Sequence, residues 1–213
     1  VAVLSAIGVG PDERRRLLGV SVALSEAEVH WRGFLESLVA RGLRGVTYVV
    51  SDDHAGLRAA RRAILGGATW QRCQFHVARN AIHHAPNAQI RKRIGRQLKP
   101  IWAADDLNKA KTALADLVAL YRDQAPKLAD WLEKNIPEGL AVFTLPEHHR
   151  RRLRTSNPIE RSVQQELKRR TAKIRVFPSE DALLRLVSAV LVEIDEKWAS
   201  DTKAYIKWEC QDS

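Results

Sequence analysis

The sequence predicts an α/β fold whose sheet mixes strand directions. Three observations predict it. The chain opens with two apolar runs, Val1–Gly8 and Leu17–Leu24, around the turn residues Val9-Gly10-Pro11-Asp12, which reads as a β-hairpin. A third run, Val46-Thr47-Tyr48-Val49-Val50, is almost continuously apolar, as suits a central strand buried on both faces. Segments with helical spacing separate and follow these runs.

The elements follow in order. Ser25-Glu26-Ala27-Glu28 has the form of a capping box, with Ser25 at the N-cap. The helix it opens carries Val29, Trp31, Phe34, Leu35, Leu38 and Val39, and Gly42 stops it. The central strand ends in Ser51-Asp52-Asp53-His54-Ala55-Gly56. Leu57–Leu65 reads as a helix closed by Gly66-Gly67, and Thr69–Phe75 as a short strand. From His76 the pattern is helical: His76–His84, Ala88–Ala103, Asp106–Arg122 and Leu128–Lys134, punctuated by Pro86, Pro100, Pro126 and Pro137. Glu138–Leu145 is ambiguous. Ser156-Asn157-Pro158 starts a basic helix that runs to about Lys173. Pro178-Ser179 opens a last helix with Leu183, Leu184, Leu186, Val187, Val190, Leu191 and Ile194.

Composition narrows the function. The chain has 213 residues, a net charge of +10 and a pI near 10, which points to a polyanionic partner. The charge is concentrated. Arg58–Lys99 holds ten Lys/Arg and no acid, and Arg150–Arg175 holds ten Lys/Arg and two acids. The remainder is net acidic, so the basic stretches read as a shaped anion-binding surface. Two cysteines, Cys73 and Cys210, exclude a disulfide framework and make a reducing cytosol the default compartment. No apolar run is long enough for a transmembrane helix, and the apolar start lacks the basic flank of a signal peptide. There is no Met, and Val1 starts inside a strand pattern; an alternative start or a piece of a longer protein both fit.

Several residues can carry chemistry. Asp52 sits at the C-terminal end of the central strand, the edge where α/β sheets bind ligands, and a carboxylate there suits magnesium. The plainer reading is that Asp52 or Asp53 caps the next helix. Glu160 lies in the first turn of the basic helix, where an acid also stabilises the helix dipole. A lone carboxylate among so many cations repels DNA unless a metal bridges them, which raises the metal reading. Together Asp52 and Glu160 suggest two-metal phosphoryl transfer, although such sites normally need a third carboxylate. Trp70-Gln71-Arg72-Cys73-Gln74-Phe75-His76 contains a Cys-x-x-His pair. Two ligands do not make a zinc site; packing, or nucleic-acid contact through Trp70 and Arg72, fits as well. Arg150, Arg151, Arg152, Arg154, Arg161, Lys168, Arg169 and Arg170 read as phosphate contacts.

Three motifs, in order, resemble the mutator-type transposases of bacterial insertion sequences. They are Ser51-Asp52-Asp53-His54-Ala55-Gly56-Leu57, Trp70-Gln71-Arg72-Cys73-Gln74-Phe75-His76 with Arg79-Asn80, and Thr155-Ser156-Asn157-Pro158-Ile159-Glu160-Arg161 with Lys168-Arg169-Arg170. Phe177-Pro178-Ser179 and Trp198 fit as well. The resemblance implies a ribonuclease-H-like mixed sheet flanked by helices, with an all-helical insertion. Its expected parts are residues 1–85 for the first part of the core, 86–150 for the insertion, and 151–213 for the closing helices. It implies a DDE-type enzyme in which Asp52 is the second Asp and Glu160 the Glu, with Mg2+ or Mn2+ as cofactor. The family's first Asp lies on a strand before the hairpin, and no residue here matches it, so an N-terminally truncated form, inactive alone, is expected. Trp70, Arg72, Cys73, His76, Arg79, Asn80, Asn157, Arg161, Lys168, Arg169 and Arg170 are the expected DNA-binding residues. Partners would be insertion-sequence ends and target DNA, with a homo-oligomer when complete, no membrane, and a place in the bacterial cytoplasm at the nucleoid. The competing reading is a non-catalytic remnant that binds DNA or transposase and inhibits. An unrelated nuclease or nucleic-acid-binding domain is a third.

Overall fold

A computed structural model describes residues 2–171, 177 and 179–208; the side chains of 157–160, 162 and 171 fall outside that description. The protein is mixed α/β and mostly helical. It divides into two compact units: Val1–Thr47, Asp53–Ala68 and Pro158–Ser213 form one, and Tyr48–Asp52 with Thr69–Asn157 form the other.

The first unit starts with the expected hairpin. β1 (Ala2–Val9) and β2 (Arg15–Ala23) pair antiparallel, with a register shift between Ala6 and Ile7. The bulge strands polar groups that must find partners. Leu17 N–H donates to Asp195 Oδ1 at 2.6 Å, and the Leu18 carbonyl accepts from Arg41 Nη2 at 2.9 Å. α1 (Glu28–Ala40) follows, then α2 (Ala55–Ile64). The capping box does not form. Ala27 is the N-cap of α1, and Ser25 Oγ accepts from Ala27 N–H at 3.3 Å instead, which turns the chain before the helix. The stop at Gly42 does form. Gly42 N–H donates to the Val39 carbonyl and Leu43 N–H to the Leu38 carbonyl, while Gly42 takes the left-handed φ of 103° that this C-cap requires. Leu4, Ala23, Phe34, Leu35, Leu38 and Ala60 close one small core. The other forms where Val163, of α9 (Asn157–Thr171), meets Val187 and Leu191 of α10 (Glu180–Ala199) against β2. Ser179 caps α10 by accepting from Ala182 N–H, as its sequence predicts.

The second unit holds a parallel pair, β3 (Tyr48–Ser51) and β4 (Thr69–Arg72), in register Tyr48↔Thr69 to Ser51↔Arg72. Beyond β4 every element up to Leu153 is helical: α3 (Gln74–His84), α4 (Ala88–Gln97), α5 (Lys99–Trp102), α6 (Leu107–Arg122), α7 (Pro126–Asn135), two 3₁₀ turns (Ile136–Gly139 and Ala141–Thr144) and α8 (Glu147–Leu153). Their core runs from Val77 to Leu140 and includes Ile94, Leu98, Ile101, Leu128 and Leu132 at full burial. Two expectations need correction. No single mixed sheet joins the strands among the described residues; they form two sheets of two strands each. The central strand is also shorter than its apolar run. It starts at Tyr48, has β4 as its strand neighbour, and is half-buried throughout.

Candidate functional site

Asp52 follows the last residue of β3, at the C-terminal end of the parallel β3–β4 pair. Its position is fixed through Ser51. The indole Nε1–H of Trp70 donates to Ser51 Oγ at 2.9 Å, and Ser51 Oγ–H donates to the Asp52 carbonyl at 2.9 Å. The Ser51 carbonyl accepts the Cys73 N–H at 2.8 Å, continuing the ladder one step past β4. The Asp52 residue is exposed. Strand twist and side-chain alternation alone would not hold a strand end so firmly; the Trp70–Ser51 relay does. Asp53 is spent differently, as the acceptor of Arg58 Nε at 2.6 Å. The N-cap of α2 is His54, with no side-chain cap, so neither aspartate takes the capping position that the sequence allowed.

Gln71, Arg72 and Cys73 point inward. Gln71 is fully buried and fully used: Nε2 donates to the carbonyls of Arg72 and Gly139, and Oε1 accepts Val142 N–H at 2.6 Å. Arg72 is 3% exposed, and Nη1 donates to Asn135 Oδ1 at 2.9 Å and to Glu138 Oε2 at 3.0 Å. Its guanidinium is therefore an internal tie between β4 and the first 3₁₀ turn. Arg72, expected among the DNA contacts, is thus buried and bonded within the fold.

Cys73 is also buried, and it is the N-cap of α3. Its Sγ lies 3.1 Å from Thr155 Oγ1, and Gln74 N–H donates to the Arg154 carbonyl at 3.0 Å. Burial pushes the thiol up, but hydrogen bonds from His76, Ser156 and Thr155 outweigh it and bring the pKa down to about 6. One residue thus joins the β3 end, through its N–H, to the Arg154–Ser156 segment, through its sulfur. That segment leads directly into α9, which carries Glu160. The thiol is engaged by hydroxyls, and no group of three or more Cys, His, Asp or Glu able to hold a metal occurs among the described residues. His76 follows Cys73 by three positions and Asn80 follows His76 by four, so helix geometry puts them on one stripe of α3. His76 and Asn80 are half-buried, Arg79 is exposed, and Phe75 meets His76 edge to face at 5.4 Å.

The side chains of Asn157 and Glu160 lie outside the described residues. Further along α9, Arg161, Lys168, Arg169 and Arg170 are exposed. Arg169 and Arg170 both bond to Glu166, and Arg170 also to Glu193 of α10. The Arg169 hydrogen bonds, outweighing slight burial and helped by Arg170, hold the Glu166 carboxyl down at about 2. Earlier in the same basic stretch, Arg150 is occupied too. Its Nε and Nη1 donate to the carbonyls of Leu145 and Asp105, and it lies over the Phe143 ring.

The family model described as "Transposase, Mutator family" matches residues 1–201. The chain belongs to that family. It is 49% identical over 207 residues to the transposase for insertion sequence element IS406 of Burkholderia multivorans, covering 97% of this chain and 53% of that protein. It is 41% identical over 197 residues to the ISRM5 transposase of Rhizobium meliloti, covering 92% of this chain and 49% of that protein. It is 34% identical over 206 residues to the IS256 transposase in transposon Tn4001 of Staphylococcus aureus, covering 96% and 52%. The chain spans about half the length of these curated relatives. Every candidate residue from Asp52 to Arg170 lies inside the stretch that matches the family. No helix among the described residues is long and apolar enough to cross a membrane.

Sequence reasoning missed three members of this site. Ser51 and Thr155 are short polar residues whose role is set by a partner far away in sequence; Cys73 and Thr155 are 82 positions apart. Gln71 stood between two chemically louder neighbours. Only its place within the short strand that carries the motif signalled that it could face inward.

Proposed function

We propose that the chain is the catalytic part of a DDE-type transposase that cleaves DNA at the ends of an insertion sequence and joins them to target DNA. The observation that carries this reading is the exposed Asp52, held at the C-terminal end of a parallel strand pair by the Ser51, Trp70 and Cys73 hydrogen bonds. Ligands of α/β proteins bind at such strand ends. The family membership supplies DNA as the substrate class.

Asp52 and Glu160 would hold divalent cations, Mg2+ or Mn2+. The oxygen-only chemistry of carboxylates such as the exposed Asp52 suits these hard ions, whereas the buried, hydroxyl-bound Cys73 does not. When bound, such cations stabilise the attacking and leaving oxygens of an in-line displacement. In hydrolysis a water oxygen bonds to phosphorus, the bond from phosphorus to the 3′ oxygen breaks, and a free 3′-hydroxyl results. In joining, that hydroxyl attacks a target phosphorus and displaces the target strand's own 3′ oxygen. Asp52 and Glu160 would orient the reacting phosphate, Cys73 ties the end of β3 to Thr155, and exposed cations would hold the backbone. A ribonuclease-H-like topology, a homo-oligomer in the working complex and a place at the bacterial nucleoid complete the proposal. The hairpin followed by a parallel pair supports the topology.

The test uses the complete transposase with a duplex ending in the element's terminal repeat. Asp52→Asn and Glu160→Gln are each expected to lower Mg2+-dependent nicking by about 10³-fold or more, the worth of several kcal/mol of charge stabilisation, with duplex binding retained. Nicking that survives either change at the parental rate would overturn the assignment.

A further inference from the structure

The two basic stretches differ in a way their composition does not show. On α9 the arginine pair at 169 and 170 is neutralised by Glu166 and Glu193. On α4 and the start of α5 nothing comparable occurs. Arg91, Lys92, Arg93, Arg96 and Lys99 are all exposed, and among the described residues no acidic side chain pairs with any of them. This is not the habit of the helical unit at large, where Lys109 pairs with Asp105 and Arg122 with Asp130 and Glu133.

The arrangement on α4 is ordered. Ile90, Ile94, Leu98 and Ile101 are buried at 0–3% exposure and face the core. Leu98 keeps helical dihedrals, so the winding continues from α4 into α5. With about 100° per residue, Lys92, Arg96 and Lys99 fall on the side opposite that stripe, and Arg91 and Arg93 flank them. The pair Lys92 and Arg96, four apart, repels and costs a few tenths of a kcal/mol with no internal compensation. A row of unpaired cations on a well-packed helix suits an external polyanion.

We propose that this outer face of α4 and the start of α5 binds the phosphate backbone of duplex DNA without regard to sequence. The proposal rests on the reading of the chain as a DNA-acting transposase and adds the surface that grips the duplex. An anionic membrane is the other polyanion such a row could meet. A helix that lies in a lipid interface must offer a free apolar face. The apolar side of α4 is already consumed by the core, and its exposed side carries no aromatic or large aliphatic residue. Base-specific reading is not implied, because contacts from Lys and Arg to phosphate oxygens fix position on the duplex and carry no sequence information directly.

The experiment compares the 213-residue chain with its Lys92→Ala/Arg96→Ala/Lys99→Ala variant. Binding to a duplex of arbitrary sequence is measured from about 50 to 200 mM salt. The parent is expected to bind with a steep salt dependence. Loss of three phosphate contacts should make the slope of log affinity against log salt shallower by about 2.7, at roughly 0.9 per contact. The loss should be uniform across sequences. Thermal melting should stay within the small range normal for surface substitutions, which shows that the variant folds. An unchanged slope in a folded variant that still binds duplex overturns this surface while the transposase reading stands. A parent that binds no duplex overturns this surface too, whereas the transposase reading stands or falls on the nicking assay with Asp52→Asn and Glu160→Gln. Vesicles rich in phosphatidylserine form the second arm: if the triple substitution releases the chain from vesicles but not from DNA, the surface is a lipid surface and the proposal fails.

Discussion

Trp70 is a residue whose chemistry permits two roles, and the structure shows the contact behind one of them. As an aromatic beside Arg72 and Cys73 it reads as a base-stacking platform. In the fold its indole N–H is committed to Ser51 Oγ, and through it to the backbone of Asp52. Trp70→Phe keeps the ring and removes the donor. It is expected to lower strand nicking at saturating DNA by about fivefold while leaving duplex affinity unchanged, because the lost bond, worth about 1 kcal/mol, positions Asp52 rather than DNA. Loss of affinity instead would return Trp70 to a stacking role. Cys73 gives a pH signature. Its folded pKa of about 6 lies below the ordinary thiol value of 9.0. The folded state therefore binds the proton less readily than the unfolded state. The stabilisation is complete above pH 9, shrinks as pH falls, and is gone below pH 6, at no more than about 1.4 kcal/mol per pH unit. Urea unfolding of the parent and of Cys73→Ala between pH 5 and 9 should show this slope in the parent alone. Parallel curves would mean that Thr155, Ser156 and His76 do not favour the thiolate.

At the level of elements, the sequence was read well wherever a segment carries its own signal. The hairpin turn, the stop at Gly42 and the Ser179 cap are all set by residues within a few positions of one another. Reading failed where tertiary partners decide. Ser25 had a capping-box spacing, but the chain turns through Ala27 before α1 begins. The apolar run at Val46 lost its first two residues as strand because β4 supplies a partner only from Thr69 onward. The ambiguous Glu138–Leu145 forms two 3₁₀ turns, with Gly139 and Val142 bonded to Gln71 far away in sequence. The motif glycine at 56 illustrates the same lesson. A Cβ there would come within 2.3 Å of the Glu26 carbonyl oxygen and 2.7 Å of the Glu28 nitrogen, both remote in sequence. Backbone cannot yield as a flexible side chain can, so Gly56→Ala should cost roughly 1–3 kcal/mol. A fall in Tm of a few degrees is the expected reading. An unshifted Tm would mean that α2 can move away from the chain entering α1. Gln71→Leu is expected to cost more than its similar volume suggests, because it strands Val142 N–H, at about 1–3 kcal/mol for a buried group left unmet, while the Gly139 carbonyl keeps its bond from Gln74 Nε2.

Across the whole chain, the net charge of +10 does not reveal which cations are available. Counting along the sequence gave the two basic stretches nearly equal weight. The structure distinguishes them because a cation's value to a polyanion depends on what already holds it. Arg72 is walled into an internal ion pair, Arg150 is bound to carbonyls, and Arg169 and Arg170 share Glu166. These contacts are invisible in sequence where the partner is remote, although Glu166 lay only three and four positions away and signalled its own helix pairs. Arg169→Ala/Arg170→Ala should therefore change the salt slope of duplex binding by well under the 1.8 expected for two freely contacting cations at about 0.9 each. The Glu166 carboxyl should rise from about 2 toward its ordinary range of 4.5 once its partners are gone. Titration of Glu166 by NMR and salt-dependent binding of the same variant check the two halves together. A slope change near 1.8 would show that DNA competes successfully with Glu166 and Glu193 for these arginines. A small change with a raised Glu166 would show that the arginines belong to the fold, and that the charge acting on DNA must be sought among the cations the protein leaves unpaired.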